Sequence, residues 1–378
     1  MKMKKNNLLI LAVAALGFAA CANDETTAVN EKLAESNAIS FRANVGGNMR
    51  AVTDVTTGNL SSFYAEAYKH SDNSSYFAKT TFTEDGTSGN YYSATKYYWP
   101  ATGNLDFIAF YPDVDAQFGH SAWNTFTLSP ADDVSTHNDY IVAATIDQAK
   151  AGPSTGVPLH FKHLGAQIIV KVYNSKGTSS GNLKATVSGW RIGYLSKSGT
   201  YTFASSTATA TPITAPTIAS GSQKTENVPN AYSQTVGATV INGESYDTSG
   251  EAVQIGSPII IVPQNVIPFY ASSVYGTDGY LPGAFIAVKL LIQDGSDNTL
   301  ADATADGIWA AWPITNNWVA GTKYTYTIDL SQGGYKEKDT ADDVVEPWLA
   351  GAEIFFSNVD VTPWAETPGT SPFPNQAP

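Results

Sequence analysis

The side chain best placed for covalent chemistry is the thiol of Cys21, the single cysteine among 378 residues. Three lysines within residues 2–5 precede an apolar run over residues 8–16, and two alanines stand directly before the cysteine. This basic, apolar and small-residue order is typical of a secretory signal, and its apolar run is too short to span a bilayer permanently. We therefore predict that residues 1–20 are a signal peptide ending in a lipobox, and that Cys21 is acylated. A cleaved signal followed by an incidental cysteine is the alternative.

Other reactive side chains form no recognisable active site. His160 and His163 are three residues apart in a strand-like run, so they face opposite sides and do not easily share a metal ion. Asp342 and Asp343 lack the alternating pattern of a calcium loop, and the chain has no glycine-rich phosphate loop and no GxSxG motif. We predict no enzymatic activity, no cofactor and no metal. Four tryptophans could stack on sugars, but core packing is the commoner role: Trp99, Trp123, Trp309 and Trp318.

The charge balance narrows the range of molecules that this chain could bind. The chain has 21 basic and 34 acidic residues, and removal of the three signal lysines leaves 18 basic side chains against 34 acidic ones. An acidic balance of this size argues against nucleic acid and anionic membrane surfaces as partners. Asn23, Asp24 and Glu25 directly after the cysteine resemble the signal that exports some lipoproteins to the outside of the outer membrane. We predict a lipoprotein of the outer membrane, displayed at the cell surface.

Composition and periodicity indicate an all-β protein. Charged residues make up only 15% of the chain and aromatic residues 12%, with 20 tyrosines and 31 glycines, a balance that suits strands joined by tight turns. Residues 38–45 alternate, with Ile39, Phe41, Ala43 and Val45 on one face, which predicts a half-buried strand. Further strands are predicted over residues 63–68, 91–99, 105–111, 139–144, 159–172, 184–194, 254–262, 284–292, 307–312, 323–330 and 353–362.

The breaks in this pattern predict two packed antiparallel β-domains. A Gly/Pro/Ser stretch at residues 151–156 reads as a linker, and residues 204–226 read as an exposed low-complexity excursion. We predict a lipidated N-terminal propiece with the first strand over residues 21–50. An N-terminal domain over 51–155 and a C-terminal domain over 156–364 follow, and a Pro-rich tail covers 365–378.

Five stretches resemble the fimbrillin family of surface lipoproteins. In chain order they are YYWPATGNLDFIAFYP, DYIVAAT, VPLHFKHLGAQIIVKV, WVAGTKYTYTIDL and VDVTPW. The resemblance implies two transthyretin-like β-sandwich domains in tandem and a role in type V pili. It also implies that an arginine-specific protease cuts the lipoprotein precursor, after which a strand from another subunit fills the vacated groove. Its partners would be other pilin subunits, in stalk, anchor or tip positions.

The resemblance points to one arginine near the N-terminus. Arg50 follows the first strand and a Gly-Gly-Asn break, so cleavage between Arg50 and Ala51 would free the lipidated segment together with that strand. An ordinary surface arginine is the alternative. Arg42 lies inside the strand and is a poorer target.

The resemblance also points to a donor strand near the C-terminus, over residues 353–362. Its apolar residues alternate between two faces: Phe355, Val359 and Val361 on one, Ile354 and Phe356 on the other. The alternative is an ordinary final strand of the C-terminal domain. The prolines beyond residue 364 favour an extended coil, which suits a tip or accessory subunit better than a stalk subunit. A monomeric surface lipoprotein that binds glycans or acts as an adhesin is the alternative function.

Overall fold

The computed structural model describes the chain in segments, and all structural statements below concern these. The described residues are 38–45, 59–86, 90–113, 125–150, 156–177, 183–204, 207–210, 232–242, 252–267, 283–299, 307–336, 346–348 and 358–363. Within them no helix is long and apolar enough to cross a membrane.

The first part of the described chain is a closed barrel of seven strands, in the order β1-β4-β3-β2-β5-β7-β8. Neighbouring strands are antiparallel except β1 and β8, which run parallel. Its interior is rich in phenylalanine, because alternate residues of each strand point inward and most of these positions carry aromatic or small side chains. The strands of this part, with the intervening β6, are β1 (Phe41–Val45), β2 (Ser62–Lys69), β3 (Ser75–Glu84), β4 (Asn90–Tyr92), β5 (Leu105–Tyr111), β6 (Thr125–Leu128), β7 (Ile141–Gln148) and β8 (Val157–His163).

The second part is a β-sandwich. One sheet has the order β13-β10-β16-β17-β19-β20, and the other has the order β14-β9-β18-β21 with β15 also paired to β9. Its strands are β9 (Ala166–Tyr173), β10 (Lys184–Gly193), β11 (Gly199–Ala204), β12 (Thr207–Ala210), β13 (Tyr232–Val240), β14 (Val253–Gln254), β15 (Ile259–Ile261), β16 (Phe285–Gln293), β17 (Ile308–Pro313), β18 (Thr322–Asp329), β19 (Gly334–Lys336), β20 (Glu346–Trp348) and β21 (Asn358–Pro363). Side chains from both sheets, such as Ile168, Trp190 and Tyr326, share one core.

A small third sheet joins the barrel to the sandwich. Strand β6 comes between two barrel strands in the chain, yet it pairs with β11 in a three-stranded sheet of order β12-β11-β6. Beneath this sheet an apolar cluster combines Phe110 and Leu128 with Leu164, Tyr201 and Val262. The Tyr201 hydroxyl donates to the carbonyl of Leu164. Barrel and sandwich are therefore in direct apolar and hydrogen-bonded contact.

The all-β expectation is confirmed, and two details differ from the sequence-based picture. Each part contains one parallel pair, β1 with β8 and β9 with β18, where only antiparallel pairing was expected. Strand β8 follows the expected linker but pairs within the barrel, so by strand pairing the barrel extends to His163 rather than ending at residue 155. Alternation predicts which face of a strand is buried but not which strand lies beside it.

Polar contacts fix the junction between the two parts. The Lys197 ammonium lies 2.7 Å from the Asp132 carboxylate. Within the barrel, at the end of β8 that leads to the sandwich, the His163 imidazole and the Asp139 carboxylate, both buried, are 2.8 Å apart. The His137 Nδ1 lies 3.1 Å from the backbone N–H of Ile260, and its Nε2 lies 2.8 Å from the carbonyl of Ala131. A neutral imidazole with its proton on Nε2 satisfies both contacts, whereas a protonated ring could not accept from Ile260.

Acid should therefore weaken the junction through His137. Burial lowers the pKa of His137 below its ordinary value, and the nearby Lys197 lowers the pKa further. The hydrogen bond to Ala131 and the carboxylates of Asp133 and Asp132 raise the pKa, but by less than burial lowers it. Because the unfolded ring binds its proton more readily, this contribution is complete above about pH 6.5 and is lost as the pH falls through the folded pKa. The slope is at most about 1.4 kcal/mol per pH unit for one proton.

The measurement is the free energy of unfolding between pH 7.5 and 5 for the wild type and for His137→Asn, whose amide oxygen can still accept from Ile260. The Tyr232 ring, which packs edge-on against His137, is common to both proteins. We expect a shallower pH dependence in the variant. Identical pH dependence would show that His137 does not carry the effect.

Candidate functional site

The candidate site is the groove of the barrel that β1 occupies, between β8 and β4. Strand β1 pairs with β8 along its whole length, from Phe41 opposite Val157 to Val45 opposite Phe161. On the other side it pairs with β4 at only two positions, Phe41 with Tyr91 and Arg42 with Asn90. The β8 wall therefore supplies most of the regular strand pairing.

The floor of the groove is a group of phenyl rings around Phe41. The Phe41 ring is fully buried and meets Phe82, Phe107 and Phe63 edge-on, at centroid distances of 4.6, 5.2 and 5.9 Å. Edge-to-face contacts of this kind add about 0.5–1.5 kcal/mol each to the gain from burial. One side chain of β1 thus lies at the centre of the barrel core.

The alternation predicted for residues 38–45 is confirmed. Ile39, Phe41 and Val45 are buried, Ala43 packs against the same core, and Arg42 is half-buried on the opposite face. The residues directly before β1 are also paired with the chain that follows β4. The Ile39 N–H donates to the carbonyl of Tyr97 at 2.7 Å, and Ala38 forms a single bridge with Tyr98.

Gly156 allows the close approach of β1 to the chain that enters β8. A Cβ atom at this position would lie 2.8 Å from the carbonyl carbon of Phe41, closer than real Cβ contacts allow. The next residue, Val157, donates its N–H to the carbonyl of Ser40 at 2.7 Å. The neighbour is backbone, which cannot rotate away, so only glycine fits here without moving β1. Sequence reasoning assigned Gly156 to a linker and missed this role.

Tyr91 of β4 lies on the side of the groove opposite β8. Its hydroxyl donates to the carbonyl of Leu60 at 2.5 Å, and its ring packs 4.9 Å from that of Phe63. Burial, with a smaller contribution from Glu84, raises the pKa of Tyr91 to about 12. The hydroxyl therefore remains a neutral donor that ties β4 to the segment preceding β2.

The C-terminal strand lies on the edge of the sandwich. Strand β21 pairs antiparallel with β18, with Val359 opposite Tyr326 and Val361 opposite Tyr324. Val359 is half-buried against the sandwich core, while Val361 is 52% exposed. This strand buries far less than β1 does.

The remaining predicted site residues are distributed as follows. Nine of them lie outside the described residues: Cys21, Arg50, Ala51, Asp342, Asp343, Trp123, Ile354, Phe355 and Phe356. Trp318 is buried, Trp99 packs edge-on against Phe107, and Trp309 lies under the Arg191 guanidinium at 4.3 Å.

The two histidines of β8 have different surroundings. His163 pairs with Asp139, whereas His160 stands opposite Asn44 of β1. Burial, and to a smaller extent Lys162, lowers the pKa of His160. The described part of the chain contains no group of three or more histidine, cysteine, aspartate or glutamate side chains placed to hold a metal ion. The arrangement around β1 is a groove that holds one strand.

These features define an all-β protein in which a short N-terminal strand completes a barrel. A family model described as fimbrillin-like matches residues 49–348, most of the chain. The chain belongs to the fimbrillin-like family, which indicates a pilus-associated protein of the cell surface that assembles with other pilin subunits.

Solved structures similar to this chain include fimbrial proteins. A fimbrial protein from Bacteroides vulgatus is 13% identical with a TM-score of 0.46, over 86% of this chain and 99% of that one. The C-terminally truncated tip fimbrial protein Mfa3 from Porphyromonas gingivalis is 10% identical with a TM-score of 0.40, over 86% and 99%. A candidate cell adhesion protein from Bacteroides uniformis is 15% identical with a TM-score of 0.41, over 87% and 100%. No curated protein matches.

The close approach at Gly156 leads to a stability prediction. Gly156→Ala should push β1 away from β8 and lower the free energy of unfolding by about 1–3 kcal/mol, the usual cost of overpacking a well-packed site. Gly237→Ala is the matched control, because a Cβ there meets nothing within 4 Å. It should change stability by less than about 0.5 kcal/mol. Urea denaturation measures both, and equal stability of the two variants would contradict the role given to Gly156.

Proposed function

We propose that the chain is a structural subunit of a cell-surface pilus, exported as a lipoprotein acylated at Cys21. A protease that cuts after Arg50 removes the anchor and the propiece, and a strand from another subunit then takes the place of β1. On this proposal the barrel and the sandwich correspond to the two transthyretin-like domains, and the chain has no enzymatic activity. The observation that carries the proposal is that β1 completes the barrel core from the N-terminal side of Arg50.

The position of Arg50 in the chain supports this proposal. Strand β1 ends at Val45 and β2 begins at Ser62, so Arg50 lies in the only connection between them. After a cut at this point β1 is held by non-covalent contacts alone. Its hydrogen bonds to β8, its two buried side chains (Phe41 and Val45) and the buried Ile39 just before it remain, but the chain that returns it to its groove is gone.

Energetics explain why the cut matters. Each fully buried side chain of β1 contributes roughly 1.5–3 kcal/mol, and ordering each backbone residue costs about 1–2 kcal/mol. These contributions largely offset each other for a strand of five residues. A short tether gives a strand an effective concentration in about the millimolar range, so an intact precursor retains β1 against competing strands. Cleavage removes this advantage, and strand addition can then join subunits.

The edge position of β21 supports a donor role for the C-terminal segment. Of its side chains Val359 is half-buried, while Asp360, Val361 and Thr362 are exposed. Leaving the edge of the sandwich would therefore uncover little apolar surface from residues 359–362. A strand that is weakly held in its own subunit is suited to a stronger site in another.

A monomeric, glycan-binding or adhesin-like lipoprotein is the second candidate. The exposed rings of Tyr92 and Tyr98 favour it, since they offer aromatic surface to a ligand. A cut chain that remains monomeric and binds a glycan array through these rings would favour this candidate over the pilus subunit.

The lipoprotein step is tested at Cys21. Cys21→Ser should abolish acylation, because the serine hydroxyl does not replace the thiol in lipobox processing. We expect unprocessed or mislocalised precursor by immunoblotting of membrane fractions and by labelling with a fatty-acid analogue. Normal surface display of Cys21→Ser would contradict the lipoprotein assignment.

The cleavage step is tested at Arg50. Arg50→Ala should keep β1 attached and block polymer formation. On this proposal a protease reaches Arg50, so the substitution should spare the core, and the melting temperature of the precursor should stay within about 2 °C of wild type. The matched control is Arg42→Ala, which removes the arginine inside β1 and should leave processing intact. N-terminal sequencing and gel filtration give the readout. A mature chain of Arg50→Ala that still begins at residue 51 would rule out Arg50 as the processing site.

A further inference from the structure

A histidine lies between two carboxylates at the end of the barrel where β2 and β7 stop and β5 and β8 begin. His70 directly follows β2, Asp106 lies in β5, and Asp147 lies near the end of β7. The His70 Nδ1 is 2.9 Å from Oδ1 of Asp106, and its Nε2 is 3.6 Å from Oδ1 of Asp147. Because β2, β5 and β7 are neighbours in the barrel, one imidazole contacts acidic side chains of the two strands beside its own.

Asp147 lies in an irregular part of β7. The pairing of β5 with β7 passes from Phe107 opposite Thr145 to Leu105 opposite Gln148, so β7 has one residue more than β5 in this interval. Such an extra residue is a β-bulge. Asp147 has a φ of +57°, in the left-handed region that few residues other than glycine adopt. The bulge therefore needs contacts that hold it in place.

The Asp106 carboxylate supplies one such contact from β5. Its side chain is only 2% exposed, and its Oδ1 accepts a hydrogen bond from the backbone N–H of Asp147 at 2.7 Å. The same oxygen lies 2.9 Å from Nδ1 of His70. A buried carboxylate is strongly disfavoured unless donors surround it, so the ring is best placed here with a proton on Nδ1.

The second ring nitrogen decides how His70 meets Asp147. A neutral ring with its proton on Nδ1 keeps a lone pair on Nε2, which is unfavourable beside a carboxylate oxygen. A protonated ring carries a positive charge that both carboxylates attract. At 3.6 Å the contact with Asp147 is then an ion pair rather than a hydrogen bond. The His70 side chain is 45% exposed, so it exchanges its proton with solvent.

We infer that His70 is a proton-operated clamp, which fixes the bulge of β7 to the end of β2 when the ring is charged. When the ring is neutral, the contact with Asp147 is lost and the bulge is held from β5 alone. Asp106 then keeps its hydrogen bond from the Asp147 N–H, and the Asn104 amide keeps its 2.7 Å hydrogen bond to the Asp147 carboxylate. The inference does not depend on the proposed function.

The surrounding charges set the direction of the response. The hydrogen bond to Asp106 and the charge of that carboxylate raise the pKa of His70 above its ordinary value; desolvation opposes them, and Asp147 adds a smaller rise. Two further charged residues stand close to His70 in the chain, Lys69 and Asp72, and the Asp72 carboxylate accepts from the N–H and hydroxyl of Ser74.

The clamp and the junction should therefore respond to acid in opposite directions. Because the folded pKa of His70 is raised, the contribution of the clamp is complete below about pH 6.5 and is lost as the pH rises through the folded pKa. The contribution of His137 is instead lost as the pH falls. Mild acid strengthens this end of the barrel and weakens its junction with the sandwich.

Proton NMR of the five histidine rings tests the clamp in the full chain. The His70 signal is identified by its loss in His70→Asn. It should titrate with a midpoint above about pH 6.5 in the wild type, and at a lower pH in Asp147→Asn, whose amide oxygen can still accept from Asn104. The matched control is Asp72→Asn, which removes an acid of the same turn and should lower the midpoint less.

Three results of the titration would overturn the inference. They are a wild-type midpoint at or below about pH 6.5, equal midpoints in the wild type and Asp147→Asn, and an equal effect of Asp72→Asn and Asp147→Asn.

Hydrogen exchange of the Asp147 amide tests whether the proton on His70 reaches the bulge. After correction for the intrinsic pH dependence of exchange, the amide should lose protection as His70 loses its proton. In His70→Asn, whose amide can still donate to Asp106 but does not titrate, protection should stay constant over the same pH range. Protection in the wild type that does not follow the His70 titration would contradict the clamp.

Discussion

The central constraint of this structure is the position of the Phe41 ring, buried edge-on among three other phenyl rings. The barrel core is built around a side chain from β1, a strand of five residues at the N-terminal end of the described chain. Removal of that strand would leave a large cavity lined by aromatic rings and one unpaired edge of β8. Both are strongly unfavourable, so the barrel needs either β1 or a strand like it.

The rest of the molecule gives this groove a rigid frame. Strand β6 leaves the barrel to pair with β11, and the apolar cluster beneath this sheet joins the two parts. The hydrogen bond between His137 and Ile260 and the ion pair of Lys197 with Asp132 add polar contacts across this junction. In a polymer, force passing through one subunit would cross this junction by packed side chains and strand pairing. On the proposed function the element that exchanges is β1 alone, which lies between β8 and β4 of the barrel.

Much of the barrel and sandwich follows from local sequence patterns. The alternation in residues 38–45 predicts which side chains of β1 are buried, and the strand predicted at 105–111 coincides with β5. The predicted strand 91–99 is instead a short β4 that ends at Tyr92, and the chain pairs again only at the Tyr98 bridge. In between, the Ser93 hydroxyl donates to the carbonyl of Thr95 at 2.5 Å, a local contact that competes with strand pairing.

The groove was harder to predict from the sequence than the individual strands. Its β8 wall lies more than 100 residues from β1 in the chain, and parallel pairing across such a distance leaves no periodic signal. Gly156 reads as a linker residue until the backbone of Phe41 is seen beside it.

We propose above all that β1 leaves the barrel when subunits join. The most direct measurement is mass spectrometry of purified polymers formed after cleavage at Arg50, with the propiece fragment quantified against the mature chain. We expect polymers that are built of chains beginning at Ala51 and that contain little or none of the fragment with residues 38–50. Polymers that retain this fragment in equal amount to the mature chain would contradict it.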